Sequence, residues 1–143
     1  MNPFQLSHAE NDAQYQACFA VMRELRPHLA DAASFSAQVQ RQIGQGYRLL
    51  VAWQDGQAKA LAGYRLQENL LFGRFLYVDD LVASTESRRH GLGARLIDAL
   101  RELGREQGCA HLVLDTALAN ALGQRFYYRQ GLLAKALNFS QPL

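Results

Sequence analysis

A strand, a helix and a second strand follow one another between residues 74 and 117, and this succession constrains the fold most. Residues 74–83 (RFLYVDDLVA) are rich in aromatic and aliphatic side chains, and residues 91–107 repeat leucine and isoleucine at helical spacing. Residues 110–117 (AHLVLDTA) are nearly all apolar, which is typical of a short strand buried on both faces. A helix that joins two strands in this way indicates an α/β protein.

The residues before this unit predict an antiparallel start. Residues 47–53 (YRLLVAW) and 58–66 (AKALAGYRL) are strand-like, and the QDGQ between them contains Asp-Gly, the strongest short hairpin signal. Apolar side chains at helical spacing predict two earlier helices, over residues 11–25 and over residues 34–44.

The chain ends with a predicted helix over residues 119–130 and a predicted strand over residues 134–139 (AKALNF). The predicted order is therefore two helices, three strands, then helix, strand, helix and strand. We expect an α/β (α+β) fold in a single domain over residues 1–143, in which a mixed central sheet carries helices.

The composition excludes several classes of protein. In 143 residues, 49% are hydrophobic, 20% are charged and the net charge is +2, which is ordinary for a globular protein and does not favour nucleic acid as a partner. The N-terminal residues lack an apolar signal region and no apolar run approaches 18 residues, so we expect a cytoplasmic protein without a membrane partner. Cys18 and Cys109 are expected to be buried free thiols, and the four histidines show no metal-ligand spacing.

A basic, glycine-containing segment stands directly before the helix of residues 91–107. The first amides of a helix have no partner inside it, and the helix dipole places partial positive charge there. Gly91 and Gly93 remove the β-carbons that would keep a phosphate from those amides, and Arg88, Arg89 and His90 add donors. The segment therefore suits an anion, although a glycine-containing turn with a solvated basic rim has the same spacing.

Two motifs resemble those of one enzyme family, the GNAT family of N-acetyltransferases. Residues 88–93 (RRHGLG) match its R/Q-x-x-G-x-G/A signature, and residues 120–132 (NALGQRFYYRQGL) resemble its N-x-x-[A/G]-x-x-F-Y-x-x-x-G-F, with Leu132 in place of the last Phe. The predicted order of elements is also the order in that family. The resemblance covers essentially the whole chain.

This resemblance implies acetyl-CoA as cosubstrate, a primary amine as acceptor and no metal. The fourth strand of the family is commonly splayed by a β-bulge, and the backbone there pairs with the pantetheine arm of the cofactor. The amides from Arg89 to Ala94 are implied to hold the pyrophosphate, and Asn120 to bond the cofactor arm. Carried over by position, the implied cofactor-binding residues are Leu81, Val82, Ala83, Arg88, Arg89, His90, Gly91, Leu92, Gly93, Ala94, Asn120 and Tyr127.

The implied reaction needs a base and an acid. The pKa of an alkylammonium lies near 10.4, so neutralising it at pH 7 costs about 4.6 kcal/mol, and a nearby carboxylate would help. Asp79 and Asp80 are candidates, and strand alternation predicts that only one faces the substrate. The segment resembles the acidic pair of spermidine/spermine-type acetyltransferases, which favours Asp79. Tyr127 is implied as the acid toward the leaving thiolate, in preference to Tyr128.

The acceptor stays open at this point. In the family, its pocket is usually built from the first two helices and the loop before the fourth strand. An acidic acceptor is favoured by the basic side chains there, Arg23, Arg26 and His28. A cationic acceptor is favoured by the acidic ones, Glu68, Asp79 and Asp80. The alternative to an enzyme is a module that binds acyl-CoA as a sensor without turnover. The family also often forms homodimers through its C-terminal strand region.

Overall fold

A computed structural model of the protein describes residues 3–143. The elements follow one another as β1 (Gln5–His8), α1 (Asp12–Ala17), α2 (Phe19–Leu25), α3 (Ala32–Ile43), β2 (Tyr47–Gln54), β3 (Gln57–Asn69), β4 (Gly73–Ala83), a 3₁₀ helix (Thr85–His90), α4 (Leu92–Glu106), β5 (His111–Leu114) and α5 (Ala121–Arg129). The chain forms two compact units, the first ending at Val113 and the second comprising Leu114–Leu143. That residues 1–143 form a single domain remains a prediction.

The five strands form one sheet in the order β1-β2-β3-β4-β5. The first four pair antiparallel, and β5 follows β4 through the crossover helix α4, which gives a mixed sheet. Tyr47, Leu49 and Val51 on one face of β2 pack with buried residues of α1, α2 and α3. The alternate residues Leu50 and Ala52 are also buried, and α4 contacts β2, β3 and β4. The predicted α/β architecture with helices on both faces is confirmed.

The predicted hairpin forms at the Asp-Gly pair. Asp55 and Gly56 both have positive φ angles, 52° and 75°, as the tight type I′ turn between two twisted strands requires. Cys18 is fully buried in the core as predicted, and burial raises the pKa of its thiol to about 12. Cys109 is also a free thiol, but it is only half-buried.

The N-terminal half departs from the sequence prediction in three places. Strand β1 was not predicted, because it has only four residues and lies at the edge of the sheet with a largely polar sequence. The helix predicted over residues 11–25 is divided at Cys18, whose N–H bonds the carbonyl of Tyr15. Helix α3 begins before residue 34, because Asp31 caps it by accepting from the Ser34 N–H at 2.7 Å.

The C-terminal part also departs from the prediction. Residue His111 of β5 is exposed and the other three residues are half-buried, so the strand is not buried on both faces. The reason is its position at the edge of the sheet. Residues 134–139 form no strand, and Leu137 and Phe139 are exposed. An alternating pattern alone does not make a strand, which needs a partner for its backbone hydrogen bonds.

Replacing Gly63 with alanine is expected to destabilise the protein by about 3 kcal/mol, because a β-carbon there would overlap the phenol ring of buried Tyr47. Urea unfolding measures the effect. Gly104→Ala is the matched control, since its β-carbon would make ordinary contacts of 3.6 to 3.8 Å with Cys109 and Leu76. Equal stabilities for the two variants would contradict this packing.

Candidate active site

The first turn of α4 offers backbone donors that no side chain caps. Gly91 precedes the helix in the left-handed conformation, with φ 67°, and no side chain of residues 3–143 caps it by a hydrogen bond. The first helical bond runs from the Arg95 N–H to the Gly91 carbonyl at 3.1 Å, so the three amides of residues 92–94 have no partner inside the helix. No acidic residue lies in this turn. It is therefore an electropositive end with free donors.

The basic residues of the signature surround the same helix end. Arg88, Arg89 and His90 are all exposed and form the last turn of the 3₁₀ helix. The 3₁₀ helix is tied to α2 through Glu24, whose Oε1 accepts from the N–H of Thr85 at 3.0 Å and from its hydroxyl at 2.6 Å. The predicted anion site thus has its donors and its positive charge in one place.

The 3₁₀ helix before α4 contains the first residues of the stretch of amides implied by the family signature. Residues 85–90 form this helix, and its Ser87 N–H bonds the Ser84 carbonyl at 2.9 Å. The amides of Leu92, Gly93 and Ala94 at the first turn of α4 belong to the same implied stretch, from Arg89 to Ala94. That this stretch holds a pyrophosphate stays a prediction.

Strand β4 carries a bulge at the acidic pair. Gly63 of β3 pairs with Asp80, but the next residue, Tyr64, pairs with Val78, so that Asp79 is an extra residue on β4. Both carboxylates line the same cavity. The expectation that alternation puts Asp79 and Asp80 on opposite faces is therefore wrong, because the bulge interrupts the alternation between them.

Asp80 is fully engaged by protein groups. Its Oδ1 accepts from Arg26 Nε at 3.0 Å and lies 2.9 Å from Arg26 Nη2, while its Oδ2 accepts from the Tyr47 hydroxyl at 2.8 Å. Burial and the negative charge of Asp80 raise the pKa of Tyr47 well above its ordinary value, which keeps that hydroxyl a donor. Both oxygens of Asp80 are therefore held by protein side chains.

Asp79 is engaged on one oxygen only. Its Oδ2 accepts from Arg65 Nε at 3.0 Å, while Oδ1 is buried and has no hydrogen-bond partner in residues 3–143. Burial raises the pKa of Asp79, although Arg65 acts in the opposite direction. A carboxylate with a raised pKa and an unused oxygen is suited to accept a proton.

The cavity beside this pair has a volume of about 450 Å³. It lies between α2, α3 and the sheet. Arg26 and His28 line it, whereas Arg23 and Glu68 do not. Its lining residues are Met22, Arg26, His28, Leu29, Phe35, Gln38, Val39, Gln42, Tyr47, Arg65, Tyr77, Asp79 and Asp80.

Tyr47 and Arg65 are site residues that the sequence did not predict. They are register partners on β2 and β3, and they hold Asp80 and Asp79 respectively. The Asp-Gly turn alone would have paired Tyr47 with Tyr64, but a bulge between Ala52 and Trp53 shifts the register by one residue. The sequence therefore predicted the hairpin but not the register that puts Tyr47 opposite Arg65.

The end of β4 is paired on its β3 side. Leu81, Val82 and Ala83 pair with residues 60–62 of β3. Strand β5 has only four residues, and Ala110 just before it donates to the carbonyl of Arg74 near the start of β4. Because a parallel strand of that length runs out before residue 81, strand pairing by β5 does not reach the three residues implied to bind pantetheine.

In the second unit, Asn120 caps α5. Its Oδ1 accepts from the Gly123 N–H at 3.0 Å and its Nδ2 donates to the Thr116 hydroxyl at 3.1 Å. A β-carbon at Gly123 would overlap the Asn120 amide, which explains the small residue at this position. The asparagine and glycine of the second motif thus have a local role in starting a helix.

Tyr127 lies on α5, half-buried, with its ring edge-on to Phe126 at 5.3 Å between centroids. Burial raises the pKa of Tyr127, so the phenol keeps its proton at neutral pH. Tyr128 is 56% exposed. Of the two tyrosines, Tyr127 is in the environment that suits a proton donor.

Comparison with known proteins identifies the class. Residues 12–132 match the model of the acetyltransferase (GNAT) family, so the chain belongs to this family. An aminoglycoside N(6′)-acetyltransferase type 1 of Serratia marcescens is 34% identical over 55 residues. That alignment covers 38% of this chain and 38% of the relative.

Solved structures share the fold over nearly the whole chain. An acetyltransferase of Trypanosoma brucei is 20% identical, with a TM-score of 0.81 over 98% of this chain and 99% of that one. The structure of AAC(6′)-Iy in complex with a bisubstrate analog is 15% identical, with a TM-score of 0.82 over 99% of both chains. At these identities the likeness shows the fold.

None of the helices in residues 3–143 combines the length and apolar character that a membrane crossing requires. Within the same residues, no three His, Cys, Asp or Glu side chains are grouped so as to hold a metal ion.

Proposed function

We propose that the protein is an acetyl-CoA-dependent N-acetyltransferase that acetylates a primary amine in the cavity beside Asp79. The observation that carries this proposal is the bulge of β4, which brings Asp79, a carboxylate whose pKa is raised by burial, to the lining of a cavity of 450 Å³. The same unit contains the uncapped first turn of α4. Membership of the acetyltransferase family supports both assignments.

The residues around α4 fit the diphosphate of coenzyme A. The amides of Leu92, Gly93 and Ala94 supply donors. Apart from the two chain neighbours of Gly91, no heavy atom of residues 3–143 lies within 4 Å of the place where its β-carbon would stand. The exposed signature residues Arg88 and Arg89 add positive charge, and His90 beside them adds a ring N–H donor. Residues 81–83 are proposed to pair with the pantetheine arm through their backbone, as in the family.

Catalysis is proposed to proceed by direct transfer. Asp79 takes the proton that leaves the amine, directly or through a water in the cavity, and the freed nitrogen lone pair attacks the thioester carbon. The C–N bond forms, the C–S bond breaks, and Tyr127 donates its phenolic proton to the departing thiolate. The nitrogen loses its second proton to solvent as the amide forms, and solvent returns a proton to the Tyr127 phenolate. Arg26 and Tyr47 position the acidic pair by holding Asp80. The main role that we assign to Asn120 is the cap of α5, and a contact with the cofactor arm is a second role.

The experiment that tests this function incubates the protein with acetyl-CoA and a panel of primary amines while free thiol is followed. Release of thiol that depends on one of the amines supports the transferase. Tight binding of acetyl-CoA with no thiol release for any amine would contradict it and favour the acyl-CoA sensor.

We also propose that residues 1–143 act as one N-acetyltransferase domain. The family match spans residues 12–132 and therefore includes both compact units. The structural similarity to the Trypanosoma brucei acetyltransferase likewise covers 98% of this chain. Removal of the second unit, Leu114–Leu143, should abolish thiol release if both units are needed.

Tyr127→Phe is expected to lower kcat about ten- to a hundredfold and to leave acetyl-CoA affinity nearly unchanged, because it removes one proton donor and no bulk. Steady-state kinetics and calorimetry separate the two effects. Tyr128→Phe is the matched control, since that side chain is exposed. Equal turnover in both variants would exclude Tyr127 as the acid.

A further inference from the structure

Arg65 has hydrogen-bond donors that the protein does not use. A guanidinium carries five N–H groups, and the one hydrogen bond of this side chain within residues 3–143 runs from Nε to Asp79 Oδ2, at 3.0 Å. In those residues the buried polar side-chain atoms without a partner are Asp79 Oδ1 and Ser84 Oγ. The two Nη groups of Arg65 are therefore not sealed in the protein, and Arg65 is one of the residues that line the cavity.

The guanidinium of Arg65 is held in a fixed place. Tyr47, Arg65 and Tyr77 are register partners on three neighbouring strands, and all three line the cavity. The guanidinium carbon lies 5.5 Å from the centre of the Tyr47 ring, a cation–π distance, while Nε is fixed by Asp79. A planar fork that is already oriented loses little entropy when it binds a carboxylate or phosphate.

Arg26 differs from Arg65 in how its donors are used. Its Nε bonds Asp80 and its Nη2 donates to the carbonyl of Asp79 at 2.8 Å, so most of this guanidinium holds the acidic pair in position. Arg65 uses only Nε for the same purpose and leaves its fork free. Of the two guanidinium groups, Arg65 is therefore the one whose two Nη groups are both unused by residues 3–143.

The charges around the cavity are balanced. Two guanidinium groups, Arg26 and Arg65, face two carboxylates, Asp79 and Asp80, and each carboxylate is already paired with an arginine. An acceptor with several ammonium groups would find no unpaired carboxylate for its additional charges. An acceptor with one amine and one anionic group would place the amine at Asp79 and the anion at the Arg65 fork.

We propose that the acceptor carries an anionic group, a carboxylate or a phosphate, beside the amine that is acetylated, and that the Nη groups of Arg65 bind it. This proposal rests on the proposed function and narrows its acceptor class. It separates this chain from the acceptor named for its aminoglycoside-acetylating relative.

The test uses two matched pairs of amines. In the first pair, 4-aminobutyrate and 4-aminobutanamide differ in a carboxylate; in the second, 2-aminoethyl phosphate and 2-aminoethanol differ in a phosphate. The quantity measured is the ratio of kcat/KM, anionic to neutral, corrected for the fraction of free amine. We expect a ratio of about ten or more in at least one pair, which also tells the carboxylate from the phosphate.

Arg65→Gln is expected to reduce that ratio to about one, mainly through KM for the anionic amine. Loss of Arg65 also changes Asp79, but that effect is common to both members of a pair and cancels in the ratio. Arg41→Gln is the matched control, since Arg41 is an exposed arginine of α3 that does not line the cavity, and it should keep the wild-type ratio.

Two results would overturn the proposal: a wild-type ratio of one or less in both pairs, or an unchanged ratio in Arg65→Gln. Calorimetric binding of the same four amines measures the preference for an anion without turnover. Preferential binding of an anionic amine without thiol release would therefore support recognition by Arg65 and contradict the transferase function, so the two failures are distinct.

Discussion

Replacing Gly91 with glutamate is expected to abolish acetyl-CoA binding, raising Kd by about two orders of magnitude or more. The new carboxylate would stand at the first turn of α4, where free amides and the helix dipole attract negative charge. It would repel the diphosphate and occupy the open space beside the glycine. Isothermal titration calorimetry with acetyl-CoA measures the loss.

Part of any effect at Gly91 is backbone strain, because a non-glycine residue at φ 67° costs about 1 kcal/mol. Gly73→Glu controls for this term, since Gly73 has φ 70° and equally open surroundings at the start of β4. The control should lose similar stability and keep acetyl-CoA affinity. If Gly91→Glu binds acetyl-CoA as tightly as Gly73→Glu, the diphosphate does not lie at this helix end.

Replacing Asp79 with asparagine is expected to lower kcat by about two to four orders of magnitude at pH 7, because the amine loses its base. Acetyl-CoA affinity should stay unchanged. Asp80→Asn is the informative comparison, since both oxygens of Asp80 hold protein groups and Asp79 has one unused. We expect Asp80→Asn to cost about 1–3 kcal/mol of stability through its broken hydrogen bonds.

The pH dependence sharpens the test of Asp79. Without a base, the variant depends on amine that is already neutral, so its rate should rise about tenfold per pH unit up to the pKa of the amine. Wild-type activity should instead fall in acid, as Asp79 is protonated through a pKa raised above 3.8. Parallel pH profiles for the two proteins would remove Asp79 from the chemistry.

Folding stability gives an independent measure of the same group. Because the pKa of Asp79 is raised in the folded state, its ionised form is disfavoured there, and its contribution to stability is lost as pH rises through that pKa. The asparagine variant lacks this titration. The free energy of unfolding of the variant, relative to that of the wild type, should therefore increase as the pH rises above 3.8. Urea unfolding at several pH values measures this difference.

The elements with a strong local signal were predictable from the sequence. The Asp-Gly turn, the apolar face of α4 and the glycine before it all have causes within a few residues of one another. Short strands were not predictable: β1 was missed, and the strand predicted at residues 134–139 does not form. Whether a short segment becomes a strand depends on the sheet edge with which it can pair.

The acidic pair shows why the site was harder to predict than the fold. Alternation would separate Asp79 from Asp80, and one extra residue in β4 brings both to a single cavity. A second bulge shifts Tyr47 opposite Arg65. A bulge is set by pairing between distant strands, so the side chains that it brings together leave no local signature.

The second motif shows a different limit. Asn120 and Gly123 match the family pattern, but their side-chain contacts in the structure are those of a helix cap. The same residues of a motif can serve both folding and binding. The spacing of the motif in the sequence does not show which of these two roles a residue has. Asn120→Ser would separate them, because serine still caps a helix and lacks the amide donor.

The central claim is that the first-turn amides of α4 bind the diphosphate of acetyl-CoA, and a titration followed by ¹⁵N NMR tests it directly. The account predicts that the largest amide shift changes fall on Leu92, Gly93 and Ala94, and that they vanish in Gly91→Glu. Saturable acetyl-CoA binding that leaves these three amides unshifted would contradict it.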